Sequence, residues 1–302
     1  MAFQHLLVPL DGSRLAEAVL PTVAYLAQKL PARVILLHMI EENPPQEVHG
    51  ERHLQDKEEA YAYLEKVSIN ALSGEYPIEH HVHTAQVSDV ARSLVAHSEE
   101  LDIDLIVMCT HGRGGLRGWI SGSIAQQVIC LGKKPVMLVF PDEKGDAPGF
   151  VCQRILVPLD GDPEHEQGLK TALELASRCE TTLHLLMVIH KMSTLPGEQS
   201  ASAILLPGAT AAVLELSQQQ AKTYLAELEE QLKRLGLTVT SGVERGEPAK
   251  VVLETARRIQ ADLIVMGTHG KSAQEGFWSG NLTTKMTRQR QVPLLLVPVK
   301  RR

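Results

Sequence analysis

Two repeats of a doubly wound, five-stranded, mostly parallel α/β sheet with helices on both faces form the fold class this sequence predicts. Three observations carry it. Leu7-Val-Pro-Leu-Asp-Gly12 returns unchanged as Leu156-Val-Pro-Leu-Asp-Gly161, a shift of 149 (11 to 160). Asp104-Leu-Ile-Val-Met-Cys-Thr-His-Gly112 returns as Asp262-Leu-Ile-Val-Met-Gly-Thr-His-Gly270, altered at one position and shifted by 158 (104 to 262). Lys134-Pro-Val-Met-Leu-Val139 matches Val292-Pro-Leu-Leu-Leu-Val297 at the same 158. Collinear matches of this kind mark a duplicated domain. Inside each half, aliphatic runs suited to strands buried on both faces alternate with helical spacing.

The first strand is expected at His5–Leu10 and Arg154–Leu159. Helix one follows Asp11-Gly-Ser13, with Ser13 as its N-cap, and its partner begins Asp162-Pro163, an acid cap with proline in the first turn. Leu15, Ala18, Val19, Thr22, Val23 and Leu26 keep helical spacing. A second strand (Arg33–Ile40; Thr182–Ile189) is expected next, then a second helix, roughly Leu54–Leu72 and Val213–Leu235. Gly236 ends the latter. The third strand is read at Ile78–Thr84 and Leu237–Val243, the third helix at Val87–Glu100 and Pro248–Gln260. The fourth strand, Asp104–Met108 or Asp262–Met266, runs into a glycine loop. A short helix from Ser121 or Ser279 and a last strand (Val136–Phe140; Leu294–Val299) close each unit. The domains are therefore read as residues 1–140 and 154–302, joined by a linker over 141–153. The insert Lys191–Thr210, mixing Met192, Leu195, Ile204, Leu205 and Leu206 with Ser, Ala and Pro, reads as a surface loop. The alternative is a lid or a partner-binding patch.

Composition narrows the function. The 302 residues carry a formal charge of −6, which offers no basic footprint for nucleic acid or an anionic membrane. Cysteines 109, 130, 152 and 179 form no C-x-x-C pair and no metal spacing. No apolar run is long enough to span a membrane, and the N-terminus lacks signal-peptide character. A reduced, cytoplasmic protein is the expectation.

The chemistry lies at the strand ends. In an open α/β sheet, ligands bind beyond the carboxyl ends of the strands where strand order reverses. Strand one ends at Pro9-Leu-Asp11-Gly12 or Pro158-Leu-Asp160-Gly161. Strand four ends at Met108-Cys109 or Met266-Gly267. If the two strands adjoin, a carboxylate and a glycine loop face one crevice. Glycines let backbone approach a phosphate, and free N–H groups at the next helix start attract anions. Gly112, Gly115, Gly122 and Ser123, with Gly270, Gly280 and Asn281, would form that cradle. Arg113 and Lys271 would neutralise phosphate or simply be solvated. Asp11 serves equally well as a ribose or adenine partner or as a turn residue. His111 and His269 read as scaffold, because no carboxylate or nucleophile stands beside them. Cys109 reads as a small buried residue or a thiol near the cleft. His80, His81 and His83 place two imidazoles on one face of an exposed edge strand, short of a zinc site. There is no Walker-A loop, no G-x-G-x-x-G after strand one, no G-x-S-x-G elbow and no nucleophile beside a base.

These residues resemble the universal stress protein family. Its ATP-binding members carry Gly, two residues, Gly, nine residues, then Gly with Ser or Thr. The second half reads Gly267-Thr-His-Gly270, nine residues, Gly280-Asn281, and the first reads Cys109-Thr-His-Gly112, nine residues, Gly122-Ser123. V-P-L-D-G resembles the family's first strand and acidic turn, and Gly246-Glu-Pro248 its approach to helix three. The resemblance covers nearly the whole chain twice and implies the tandem form, with a Rossmann-like, adenine nucleotide α-hydrolase-like fold. It further implies ATP or a related adenine nucleotide, with or without Mg, and a pseudo-dimer of the two domains that leaves room for a homodimer of chains. Cys109, Asn281 and Asp162 depart from the pattern, and the first half keeps more of it. A regulatory nucleotide-binding protein of the stress response is expected, with at most slow ATP hydrolysis. The alternatives are a nucleotide-independent interaction module, or an ATPase or nucleotidyl-transfer enzyme built on Asp11 and Asp160.

Overall fold

The structure, a computed structural model, describes residues 3–42, 46–48, 50–110, 124–141, 146, 149–162, 166–195, 197–268, 285–286 and 292–299. Two compact units divide it, Met1–Val151 with Pro293–Pro298, and Cys152–Val292 with Val299–Arg302.

The first unit runs β1 (His5–Pro9), α1 (Arg14–Glu17), α2 (Leu20–Lys29), β2 (Arg33–Glu41), a hairpin of β3 (Glu47–Val48) and β4 (Glu51–Arg52), α3 (Lys57–Ala71), β5 (Ile78–Val87), α4 (Val90–Glu100), β6 (Leu105–Cys109), α5 (Ile124–Leu131) and β7 (Val136–Val139). Strand order is β7-β6-β1-β2-β5, all parallel. Leu6, Leu7, Val8, Leu36 and Ile106 are fully buried, because a parallel strand covered on both faces has no polar side. Helix α2 packs beside α3, and α4 beside α5. Right-handed crossovers on either side of the strand-order reversal put these pairs on opposite faces.

The second unit repeats the plan with β8 (Arg154–Leu159), α6 (Gln167–Cys179), β9 (Thr182–Ile189), a 3-10 turn at Met192–Thr194, α7 (Gly197–Leu205), α8 (Pro207–Arg234), β10 (Val239–Arg245), α9 (Pro248–Ile259) and β11 (Leu263–Thr268). The order β10-β9-β8-β11 is parallel throughout. The last strand, β12 (Leu294–Pro298), lies in the first unit and pairs antiparallel with β7, Leu294 against Leu138 and Leu296 against Val136.

Three expectations need correction. The insert is not a loop: the 3-10 turn, α7 and the first turn of α8 occupy it, and α8 starts at Pro207 rather than Val213. Helix one of the first half is broken between Glu17 and Leu20. Its counterpart α6 begins at Gln167, well after Asp162. The caps behave as their chemistry requires. Ser13 Oγ accepts from Ala16 N at 3.2 Å, and Asp89 and Glu247 accept from Arg92 N and Lys250 N at 3.0 and 2.8 Å. Gly236 takes φ 82° just past α8.

Part of the linker packs on the first unit. Asp146 pairs with Arg14, and the Phe150 ring meets Tyr25 edge-on at 5.4 Å.

Candidate functional site

In both halves strand one adjoins strand four. Leu6 pairs with Leu105 in one, and Ile155 with Leu263 in the other. Strand order reverses there, so each Asp-Gly turn and each strand-four end share one edge of the sheet. Pro9 ends β1 half-buried, while Pro158 is buried inside β8. Met108 and Met266 are buried, Cys109 is the half-buried last residue of β6, and Gly267 lies within β11. The Cys109 thiol donates to the Thr110 carbonyl at 3.4 Å. His111, Gly112, Arg113, Gly115, Gly122, Ser123, His269, Gly270, Lys271, Gly280 and Asn281 lie outside the described residues.

The acidic turns are built alike. Asp11 Oδ1 accepts from Ser13 N at 2.9 Å and from Ser13 Oγ at 2.6 Å. Asp160 Oδ1 accepts from Asp162 N at 3.0 Å. One carboxylate oxygen therefore serves the turn in each half. Gly12 and Gly161 take φ 91° and 83°, a region costly for any residue with a Cβ. The first turn is also covered. A Cβ on Gly12 would meet Leu54 at 3.0 Å, and Glu51 of the hairpin accepts from Arg14 N at 2.5 Å. At Gly161 the nearest atom is the flexible end of Met187, at 3.1 Å.

Strand four differs between the halves as a matched pair. In the second, α6 crosses β11 so closely that a Cβ on Gly168 would lie 2.8 Å from Gly267 N and 2.9 Å from Met266 C. The shift of 149 puts fully buried Val19 at the place of Gly168. A valine cannot come so near a strand backbone. Here the helix is interrupted at Ala18-Val19, and the strand carries Cys109 in place of Gly267. Just beyond the strand, the hydroxyl of Thr110 is buried without a hydrogen-bond partner among the described residues. It is an orphan polar atom beside the site.

A duplicated pair escaped the sequence reading. Glu17 matches Glu166 at the shift of 149, and Tyr63 matches Tyr224 at 161 (63 to 224). The Tyr224 hydroxyl donates to Glu166. Burial, the Glu166 contact and the charge of Asp160 hold that phenol above its ordinary range. Burial, Glu17, Asp11 and Glu51 raise Tyr63 likewise, and burial raises the Glu17 carboxyl. Each half thus sets a neutral phenol beside its acidic turn. The signal was present in the sequence, but only with two different shifts applied together.

Further along the second site, Glu247 at the head of α9 binds Lys285 Nζ at 2.8 Å, anchoring chain that follows the glycine loop. Burial favours its neutral form, yet Lys285 and the N–H of Lys250 outweigh that and hold the carboxyl low.

The histidine strand is β5, at one end of the first unit's sheet. A third imidazole joins from α4. The His97 ring lies 5.3 Å from His81 and 4.5 Å from His83. Among the described residues no group of three His, Cys, Asp or Glu is arranged to hold a metal ion. No described helix is long and apolar enough to cross a membrane.

Comparison with known proteins also divides the sequence in two, with the last strand counted in the second segment. The universal stress protein family model matches residues 2–139 and 152–298. A universal stress protein of Mycolicibacterium smegmatis is 24% identical over 308 residues, covering 97% of this chain and 96% of its own. Another, from Methanocaldococcus jannaschii, is 24% identical over 147 residues, 48% of this chain and 81% of its own. A solved universal stress protein from Archaeoglobus fulgidus shares the fold, with a TM-score of 0.64 at 17% identity, over 99% of this chain and 98% of its own.

Proposed function

The chain belongs to the universal stress protein family in its tandem form, and on that premise we propose that it binds ATP or a related adenine nucleotide as a regulatory ligand in the stress response. One observation carries the reading. The acidic turn and the end of strand four meet at the strand-order reversal, twice in one chain. The available groups suit the ligand. A turn carboxylate is the chemistry that accepts from a ribose hydroxyl or an adenine amino group. The Thr110 hydroxyl, buried and without a hydrogen-bond partner among the described residues, can bond a polar ligand atom. A nucleotide brings its own negative charge and, with it, Mg. The protein's residues bind and orient it.

The second half is the stronger binding half. In the first, Leu54 covers Gly12, Glu51 holds the Arg14 N–H, and Cys109 adds a side chain at the strand end. A carboxylate in that position opposes a second anion. The first half keeps more of the family pattern, with Asp11, Ser13, Gly112, Gly122 and Ser123, but these obstructions weigh against it. The test is titration calorimetry with ATP on protein stripped of bound small molecules. Gly270→Val should abolish most of the heat, and Gly112→Val should leave most of it. Equal losses would assign both halves, and a silent wild type would sink nucleotide binding altogether.

A further inference from the structure

The insert of the second half leaves a large apolar surface bare. Ile204, Leu205, Leu206, Val213 and Leu216 are 80%, 78%, 64%, 61% and 59% exposed. They end α7 and line the start of α8. Helix α8 is 28 residues long and turns only Leu214, Ala221, Leu225 and Leu232 fully inward; Arg245 ties that side of its start to the domain through Leu214 O, Glu215 and Gln218, while Val213 and Leu216 stay bare. From Gln199 to Leu214 the chain carries no charged residue. Soluble surfaces normally intersperse charge, and an exposed apolar patch of this size marks an interaction site. The first half has no counterpart, because its helix α3 starts at Lys57 behind a polar cap.

The spacing identifies the kind of contact. Leu206, Ala209, Val213 and Leu216 follow one another at intervals of three, four and three. That is the spacing of a coiled-coil seam about one heptad long, with Leu206 at the N-cap of the helix. Beyond it the stripe turns polar at Gln220 and Thr223. The seam is thus short and centred on Ala211.

We propose that this seam pairs with the same seam of a second copy of the chain, antiparallel, about a two-fold axis near Ala211. The axis sets Leu206 of each copy against Leu216 of the other, and Ala209 against Val213, a small residue facing a larger one. It also opposes the two helix dipoles. Between Leu206 and Leu216 the one charged residue is Glu215, which pairs with Arg245 of its own domain at 2.8 Å, so the surface meets its own image with little repulsion. The exposed seam side chains Leu206, Val213 and Leu216 offer about 350 Å² per copy, so roughly 700 Å² across the pair, and Ile204 and Leu205 at the end of α7 add to this if the second copy reaches them. A weak monomer–dimer equilibrium is expected of a contact this small. The inference is independent of nucleotide binding.

Sedimentation velocity on the full chain over a range of micromolar concentrations tests it. The wild type should pass from monomer to dimer, while Val213→Glu with Leu216→Glu stays monomeric with unchanged circular dichroism. A second variant, Leu206→Lys with Leu216→Glu in one chain, places opposite charges face to face across the axis and should regain the dimer. A wild type that stays monomeric throughout overturns the proposal, as does a dimer that survives the double glutamate. Binding of the wild-type monomer to phosphatidylglycerol vesicles, lost in that variant, would give the face to a membrane and overturn it too.

Discussion

Gly168 shows how much one missing side chain decides. Its Cα lies where any Cβ would strike the backbone of β11, so Gly168→Val must push α6 off the strand. We expect a loss of about 2 kcal/mol, in the range measured for overpacked sites, read as a lower urea midpoint with an unchanged slope. Nucleotide affinity of the second half should fall with it, because the displaced helix starts beside the acidic turn. An unchanged midpoint would mean that the helix and strand are not held this close. Sequence alone did not single out Gly168, since a glycine inside a helix reads only as a weak position. Its meaning appears once the 149 shift sets it against Val19 and the 158 shift sets Gly267 against Cys109. The acidic turns, by contrast, were legible at once, because identical hexapeptides twice end an apolar run. Their double role was not: the oxygen that Ser13 and Asp162 occupy becomes visible only in three dimensions.

The elements most faithful to the sequence are the buried parallel strands, whose aliphatic runs leave no other reading. The insert was misread because Gly197, Pro207 and Gly208 break its pattern and small residues hide its period. Pro207, in the first turn of α8, is in fact a helix-start signal. The packing of α4 on β5 was also beyond the sequence, because the imidazole that completes the cluster comes from the helix. His81 and His83 face His97 there, with Glu79 and Glu100 the nearby acids. Burial lowers both strand histidines below their ordinary value, the other imidazoles lower them further, and the acids only partly oppose this. The unfolded chain thus takes up protons at a higher pH than the folded one. Stability is complete above the ordinary histidine value of about 6.5 and falls as the pH drops through it. Urea unfolding at about pH 7.5 and about pH 5.5 should show the fall, and His83→Gln should shrink it. A pH slope untouched by His83→Gln would assign the acid sensitivity to other groups.

At the scale of the whole molecule, duplication was the most legible feature, because it rests on identity rather than on propensity. Where its last strand goes was not legible. The apolar run at 294–298 specifies a strand but not its neighbour, and the contact falls to β7 of the first unit. A fragment ending at Val151 would therefore leave β7 with an open apolar edge. Such a fragment should aggregate on refolding, while the full chain stays dispersed under the same conditions in light scattering. A dispersed, cooperatively unfolding fragment would count against β12 as a necessary part of that sheet. This pairing also bears on how the two halves have been free to diverge. After a duplication, a half that loses its ligand is ordinarily dispensable and can be deleted. Here the first half is finished only by a strand encoded at the far end of the second. Losing the end of the second half would therefore also cost the first half a strand of its sheet, which ties the two halves together as one chain.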